Sequence, residues 1–198
     1  MTATRFTLTA ATRHGVEIRK SRFLAVAEPV TDADAAMACV QRLSDPAASH
    51  NCWAWRLGQS YRSHDDGEPT GSAGRPILAA IDGQQLDGVA VVVTRWFGGI
   101  KLGVGGLIRA YGGTAAECLR QAQRVAVVER CRVTFDCDFA LLALLKSRLP
   151  AVDAVIDEER YAAEHAGLTL LLPVSQREPL AALLRDLSRG RIQLPPLD

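Results

Sequence analysis

The chain has 198 residues, a formal net charge of +1 and 48% hydrophobic residues. This length suits one ordinary domain or two small ones, and the balanced charge excludes the strongly basic composition of a dedicated DNA-binding protein. No apolar run reaches the roughly 18 residues of a membrane span, and the N-terminus lacks the apolar core of a secretory signal. We therefore expect a soluble cytoplasmic protein with no membrane partner.

The cysteines and histidines do not indicate a metal site. The five cysteines are odd in number and widely spaced, with no C-x-x-C pair, and the four histidines show no ligand spacing. Neither a disulfide framework nor a zinc site is therefore predicted. We expect no metal and no cofactor.

The first elements in chain order are two strands and a helix. Residues 6–12 read as a strand with mixed alternation, and residues 23–29 read as a second strand. Residues 33–43 carry apolar side chains at helical spacing, and Thr31 or Asp32 can cap this helix. The helix is predicted to cover one face of a sheet.

The next segment, HNCWAWRLG, alternates in the manner of a strand over residues 50–57. Its two tryptophans, Trp53 and Trp55, share one face. They can stack on bases, but two tryptophans at this spacing more often pack in a core. Cys52 lies beside His50, which suggests a nucleophile and its base, although no Asn or Asp partner is identifiable from the spacing. We favour the core interpretation for the tryptophans and give the nucleophile little weight.

A polar stretch follows, SHDDGEPTGSAGRPIL, in which three carboxylates fall within four residues: Asp65, Asp66 and Glu68. The simplest interpretation is a solvated turn. The carboxylates could also ligate a hard cation or form salt bridges with arginines, and we favour pairing with Arg75, Arg95 or Arg109. Pro76 suits the first turn of a short helix that begins here.

The most informative stretch is TRWFGGIKLGVGGLIRAYGG. A buried strand is predicted at residues 89–97 and a helix from residue 107, and the connection between them is rich in glycine and positive charge. Dense glycine suits a backbone that needs positive φ or close approach, and a helix start attracts anions. We therefore predict a nucleic-acid or anion site here; the alternative is a tight connection whose glycines only permit packing. Neither the Walker nor the dinucleotide glycine spacing is present. The predicted site residues are Arg75, Arg95, Gly98, Gly99, Lys101, Gly103, Gly105, Gly106 and Arg109, with His50, Asp65, Asp66 and Glu68 as a supporting polar cluster.

The second half has a different pattern. Its predicted elements are a strand after residue 132, a helix at 141–149, strands at 152–161 and 168–173, a helix at 179–187 and a last strand at 191–194. The order βαββαβ is that of a ferredoxin-like domain. We therefore predict domains at residues 1–132 and 133–198. The first carries 16 Lys and Arg against 12 Asp and Glu, and the second 7 against 10. The positive excess lies with the glycine-rich stretch, as a phosphate-facing surface would show; the alternative is that four charges spread over a domain steer nothing.

The three segments HNCWAWRLG, DDGEPTGSAGRPIL and VVVTRWFGGIKLGVGGLIRAYGG, in this order, closely resemble the YigZ/IMPACT family. Lys20 to Phe23 add to the resemblance, which extends over nearly the whole chain. It implies an α+β fold whose N-terminal two-layer domain is similar to domain IV of elongation factor G and whose ferredoxin-like domain is similar to its domain V. Members are described as translation regulators, and the eukaryotic ones compete for a partner of a stress kinase. No catalytic residue comes with the family.

Two classes of function remain. The first is a binding module that docks RNA, a ribosome or a translation-factor partner through the basic glycine-rich surface. The second is an enzyme that acts on a phosphorylated or otherwise anionic small molecule, with His50, Asp65, Asp66 and Glu68 as acid and base. We favour the binding module, in association with translation. A role in protein interactions alone is the third possibility.

Overall fold

The computed structural model describes residues 5–194 and confirms the α+β fold class. The chain forms two compact units, which divide between Val127 and Val128. No helix in the described part of the chain is both long and apolar enough to cross a membrane.

The first unit is built on a five-stranded antiparallel sheet with strand order β2-β3-β6-β4-β5. A separate short pair joins β1 to β7. The strands are β1 (Phe6–Leu8), β2 (Thr12–Ile18), β3 (Ser21–Pro29), β4 (His50–Leu57), β5 (Ser60–His64), β6 (Val89–Trp96) and β7 (Arg124–Ala126). The helices are α1 (Ala33–Leu43), α2 (Gly74–Gly83) and α3 (Val104–Gln121).

Helices cover both faces of this sheet. On one face α2 and α3 pack over Phe23, Cys52 and Val91, and Ile77 of α2 is fully buried there. This arrangement is the predicted two-layer sandwich. On the other face α1 packs over a second cluster that contains Trp53 and Trp55, so that α1 adds a partial third layer. The core interpretation of the two tryptophans is confirmed.

The buried central strands of the first unit lie where the sequence predicts them. The observed and predicted strands differ only at the exposed edges of its sheets. The predicted strand at 6–12 is two strands, because β1 ends at Leu8 and β2 starts at Thr12. The rest of β2 and the whole of β5 are strands that the sequence does not predict. Both are outer strands of the sheet with few buried side chains, so their sequences lack the apolar alternation that identifies a strand.

The second unit has a three-stranded antiparallel sheet with strand order β8-β10-β9. Its elements are β8 (Arg130–Asp138), α4 (Phe139–Arg148), β9 (Val155–Tyr161), β10 (His165–Pro173) and α5 (Arg177–Ser188), with 3-10 turns at Leu149–Val152 and Val174–Gln176. A single apolar core joins the helices to one face of the sheet.

Two details of this unit differ from the sequence-based expectation. The predicted last strand at residues 191–194 is not formed, although Ile192 and Leu194 pack against the core. A domain boundary after Arg132 would fall inside β8, because this strand already starts at Arg130. The chain thus shows the order βαββα of the ferredoxin-like pattern through Leu194.

Candidate functional site

The segment from Phe97 to Gly106, here called the glycine loop, connects the central strand β6 to the long helix α3. At Gly98 the loop passes so close to the backbone carbonyl of Lys20 that a Cβ at this position would overlap it. Gly103, directly before α3, has φ +74°, a conformation that favours glycine. The glycines at these two positions are therefore required by the backbone path itself.

The first turn of α3 is open and bordered by positive charge. Gly103 offers no side-chain cap to the helix, and the first turn contains no acidic residue. Arg109 extends back along the helix, so that its Nη1 lies 3.9 Å from the place where a Cβ on Gly105 would stand. Lys101 is exposed. Among residues 5–194, no ion pair involves Lys101 or Arg109. Unpaired N–H groups and free cations here can attract an anion.

Helix α2 provides an instructive contrast, because its N-terminal region is already occupied by a carboxylate of the chain. Asp65 accepts hydrogen bonds from the backbone N–H of Gly71, Ala73 and Gly74 at 2.7–3.0 Å. Burial acts to raise the pKa of Asp65, but these three donors together hold it below its ordinary value. Asp65 is therefore a capping residue. Arg75 follows in the first turn of α2 and is exposed.

Arg95 does not belong to the exposed surface, which corrects its assignment as a ligand-facing residue. It lies in the central strand β6 and is only 5% exposed. Its Nη1 donates a hydrogen bond of 2.6 Å to Oε1 of Glu68, which also accepts from the Tyr111 hydroxyl at 2.7 Å. The predicted pairing of one of the three carboxylates Asp65, Asp66 and Glu68 with Arg95 is confirmed.

The three carboxylates do not converge. Asp66 accepts from the backbone N–H of Asn51 at 2.6 Å, while Asp65 and Glu68 have the separate partners described above. Each carboxylate is thus engaged with a different part of the first unit. Within the described residues, no group of three or more His, Cys, Asp or Glu side chains has a geometry that could hold a metal ion.

His50 and Cys52 lie near this polar cluster but do not form a nucleophile and base. His50 Nδ1 donates to the carbonyl of Asp66 at 2.7 Å, and its Nε2 lies 3.7 Å from Oε1 of Glu68. The Cys52 thiol donates to the carbonyl of Asp65 at 2.9 Å, and burial raises its pKa to about 12. A protonated thiol is a poor nucleophile at neutral pH. The structure thus gives no support to Cys–His catalysis.

Two residues of the polar cluster were missed by the sequence analysis. The Ser21 hydroxyl accepts from the N–H of Gly98 at 3.3 Å and from Nη2 of Arg95 at 3.4 Å. Tyr111 fits the apolar stripe of α3, so nothing in the spacing indicates that its hydroxyl meets Glu68. The resemblance of Lys20 to Phe23 to the family was the only signal for Ser21.

Large apolar side chains are exposed around the glycine loop. Phe97, Ile100, Val104 and Ile108 are each 41–53% exposed, and they alternate in sequence with Lys101 and Arg109. Apolar side chains grouped in this way are a common feature of surfaces that meet a partner. The exposed cations Arg19 and Lys20, in the turn between β2 and β3, adjoin the loop through the Lys20–Gly98 contact.

Both units match known protein families. Residues 19–119 match the Impact N-terminal domain, and residues 135–191 match a domain of unknown function. The chain belongs to the IMPACT family. An IMPACT family member of Thermus thermophilus is 43% identical over 88% of this chain and 97% of that protein. The family member YigZ of Escherichia coli is 37% identical over 90% of each chain.

Solved structures agree with this assignment. A crystal structure described as that of a hypothetical protein has 34% sequence identity and a TM-score of 0.75, and the match covers 100% of this chain and 99% of that one. A second structure, of a Thermus thermophilus protein, has a TM-score of 0.56 at 11% identity and covers 98% of this chain but 29% of its own. The second match shows likeness of fold alone.

The buried pair can be tested with Glu68→Gln, which leaves the Arg95 charge uncompensated in the core. We expect the free energy of unfolding to fall by about 3–5 kcal/mol, measured by urea denaturation. Glu117→Gln, which breaks an exposed pair with Arg120, is the matched control and should cost at most about 1 kcal/mol. Equal effects of the two variants would contradict a structural role of the buried pair.

The Asp65 cap predicts a pH dependence. Because its pKa is lowered by folding, Asp65 stabilises the native state above its unfolded pKa, and this contribution is lost as pH falls through the lower native value. Asp65→Asn should therefore be less stable than wild type at neutral pH, and the difference should shrink below the ordinary value of 3.8. Thermal unfolding followed from pH 7 to about 2 measures this, with the exposed Asp34→Asn as control. A difference independent of pH would contradict the assignment.

Proposed function

We propose that this protein is a non-enzymatic, translation-associated binding module, whose glycine loop and first turn of α3 dock on ribosomal RNA. The observation that carries the proposal is the open N-terminus of α3 beside Lys101 and Arg109, neither of which makes an ion pair within residues 5–194. Backbone N–H groups and positive side chains are the groups that bind RNA phosphates. Membership of the IMPACT family supports a connection with translation.

The polar cluster supports binding rather than chemistry. The carboxylates that an acid–base mechanism would need are engaged in the fold, as cap, as backbone acceptor and as partner of Arg95. Glu68 contacts Arg95 of β6 and Tyr111 of α3, and so ties together the two elements that flank the glycine loop. An ordered, pre-formed surface lowers the entropy cost of docking.

The exposed apolar side chains give the same surface a second kind of contact. Phe97 offers an aromatic ring, on which an unstacked base of a single-stranded RNA segment can stack. The aliphatic residues Ile100, Val104 and Ile108 favour a protein component instead, since apolar area is the main source of affinity between proteins. A translation-factor partner is therefore the second candidate at this surface.

An enzyme that acts on a phosphorylated small molecule is the alternative function. It requires a nucleophile or base that is free to react, and neither Cys52 nor Glu68 is. Stabilisation by nucleotides or inorganic phosphates in a thermal-shift assay would support this alternative, because a ligand that binds the native state raises its stability.

Co-sedimentation with ribosomes and ribosomal subunits over a salt series tests the proposal. We expect wild type to bind at low salt, and Lys101→Ala/Arg109→Ala to bind more weakly with a shallower dependence on salt. Each lost phosphate contact removes roughly 0.9 from the slope of log K against log salt on duplexes and about 0.7 on single strands.

The matched control is Arg120→Ala/Arg124→Ala, which removes the same amount of charge at and just beyond the opposite end of α3. This control variant should bind like wild type, and circular dichroism should show that all variants are folded. Absence of wild-type binding at low salt, or equal loss in the two double variants, would contradict the proposal. Nuclease treatment of the ribosomes before sedimentation distinguishes the two kinds of site. Removal of exposed RNA should weaken binding if the protein docks on RNA, and should leave binding unchanged if it docks on a protein component.

A further inference from the structure

The second unit has an open sheet edge. Strand β8 is paired with β10 on one side only, and among the described residues no strand lies on its other side. Residues 191–194, which follow α5, make no backbone hydrogen bond to β8 within this part of the chain. Pro195 and Pro196 come next and have no N–H to donate to a sheet. A nine-residue edge strand whose outward N–H and C=O groups meet no other strand in the described part of the chain is a template for another strand.

The sequence of β8, RCRVTFDCD, has a symmetry of charge. Val133, Phe135 and Cys137 face the apolar core, so the alternating positions face the opposite side of the sheet. These positions carry two cations, a threonine and two carboxylates in that order: Arg130, Arg132, Thr134, Asp136 and Asp138. Reversing the strand direction about Thr134 exchanges each arginine with an aspartate.

This pattern fits a second copy of the same strand. In an antiparallel pair with its two-fold axis at Thr134, Arg132 of one copy stands opposite Asp136 of the other, and Arg130 opposite Asp138. Opposite charges directly across a strand pair stabilise it, and like charges destabilise it. A parallel pair in register would place arginine against arginine. A shift of the antiparallel pair by two residues in one direction would place Arg132 opposite Thr134. A shift by two residues in the other direction would leave Arg130 with no residue of the partner strand opposite it. The charges therefore select one orientation and one register.

We propose that β8 is the edge through which two copies of this chain associate, to form a continuous six-stranded antiparallel sheet. The interface is isologous, as two-fold dimers require. The occupant is a second copy rather than an unrelated extended peptide, because the charge order of β8 is complementary to itself. This proposal is independent of the RNA site.

Intrachain ion pairs do not prevent this association. Arg130 pairs with Asp153 at 2.8 Å, Arg132 with Asp157 at 2.9 Å and Asp138 with Arg191 at 2.8 Å. In each pair at least one side chain is more than half exposed. Exposed pairs of this kind contribute little to stability, so these side chains are free to turn to a partner strand.

Sedimentation velocity of the full chain, over a range of concentrations, tests the proposal. Wild type should approach twice the 21.3 kDa mass of one chain as its concentration rises. Arg132→Asp places carboxylate against carboxylate, and Asp136→Arg places guanidinium against guanidinium. Each variant alone should lose the dimer. A 1:1 mixture of the two single variants should recover the dimer. In the mixed dimer the two introduced side chains lie opposite each other, and so do the native Asp136 of one chain and the native Arg132 of the other. Both cross-strand contacts then join opposite charges.

The double variant Arg132→Asp/Asp136→Arg should dimerise by itself, which keeps the test decisive if one single variant does not fold. Arg160→Asp, a reversal of an exposed charge on the other edge strand β9, is the control and should leave the dimer unchanged. A monomeric wild type at the highest soluble concentration overturns the proposal. Single variants that remain dimeric, or a mixture that does not reassociate, also overturn it.

Discussion

The ion pair between Arg95 and Glu68 is the constraint on which the rest of the first unit depends. A charge in the central strand of a sheet is expensive to bury, and it is tolerated here because Glu68 approaches within 2.6 Å and Tyr111 donates to the same carboxylate oxygen. Three segments that are distant in sequence are thereby joined: strand β6, helix α3, and residues 65–73 before α2, here called the acidic loop. Ser21 adds the start of β3 to this network through Arg95 and Gly98.

This network explains why the neighbouring polar residues are arranged as they are. The acidic loop, once held by Glu68, supplies Asp65 to cap α2 and Asp66 to meet the backbone of β4. The glycine loop is held at its first residues, while Lys101 and the first turn of α3 remain without such partners among the described residues. One part of the motif is therefore structural, and the other part is the one at which we propose that RNA binds.

Much of this fold could be predicted from the sequence, and the reasons are physical. Strands β4 and β6 and helix α1 have strong apolar periodicity, and their predicted positions agree with the structure to within one residue. Edge strands such as β5 carry few buried side chains and leave no such pattern. At the site, glycine density located the loop, but which arginine is buried depends on strand pairing: Arg95 lies opposite Phe23 of β3 and His50 of β4. Spacing alone could not separate Arg95 from Arg109.

Hydrogen–deuterium exchange of wild type and Glu68→Gln tests most directly whether the buried pair orders the candidate surface. Local opening is expected where the anchoring contacts are lost. We expect faster exchange in Glu68→Gln at Phe97 and Gly98, whose N–H groups donate to Ser49 and Ser21, than in a variant destabilised to a similar extent on the α1 face of the sheet, such as Val92→Ala. Exchange at Phe97 and Gly98 that is unchanged, or equal in the two variants, would contradict the claim that this ion pair positions the surface.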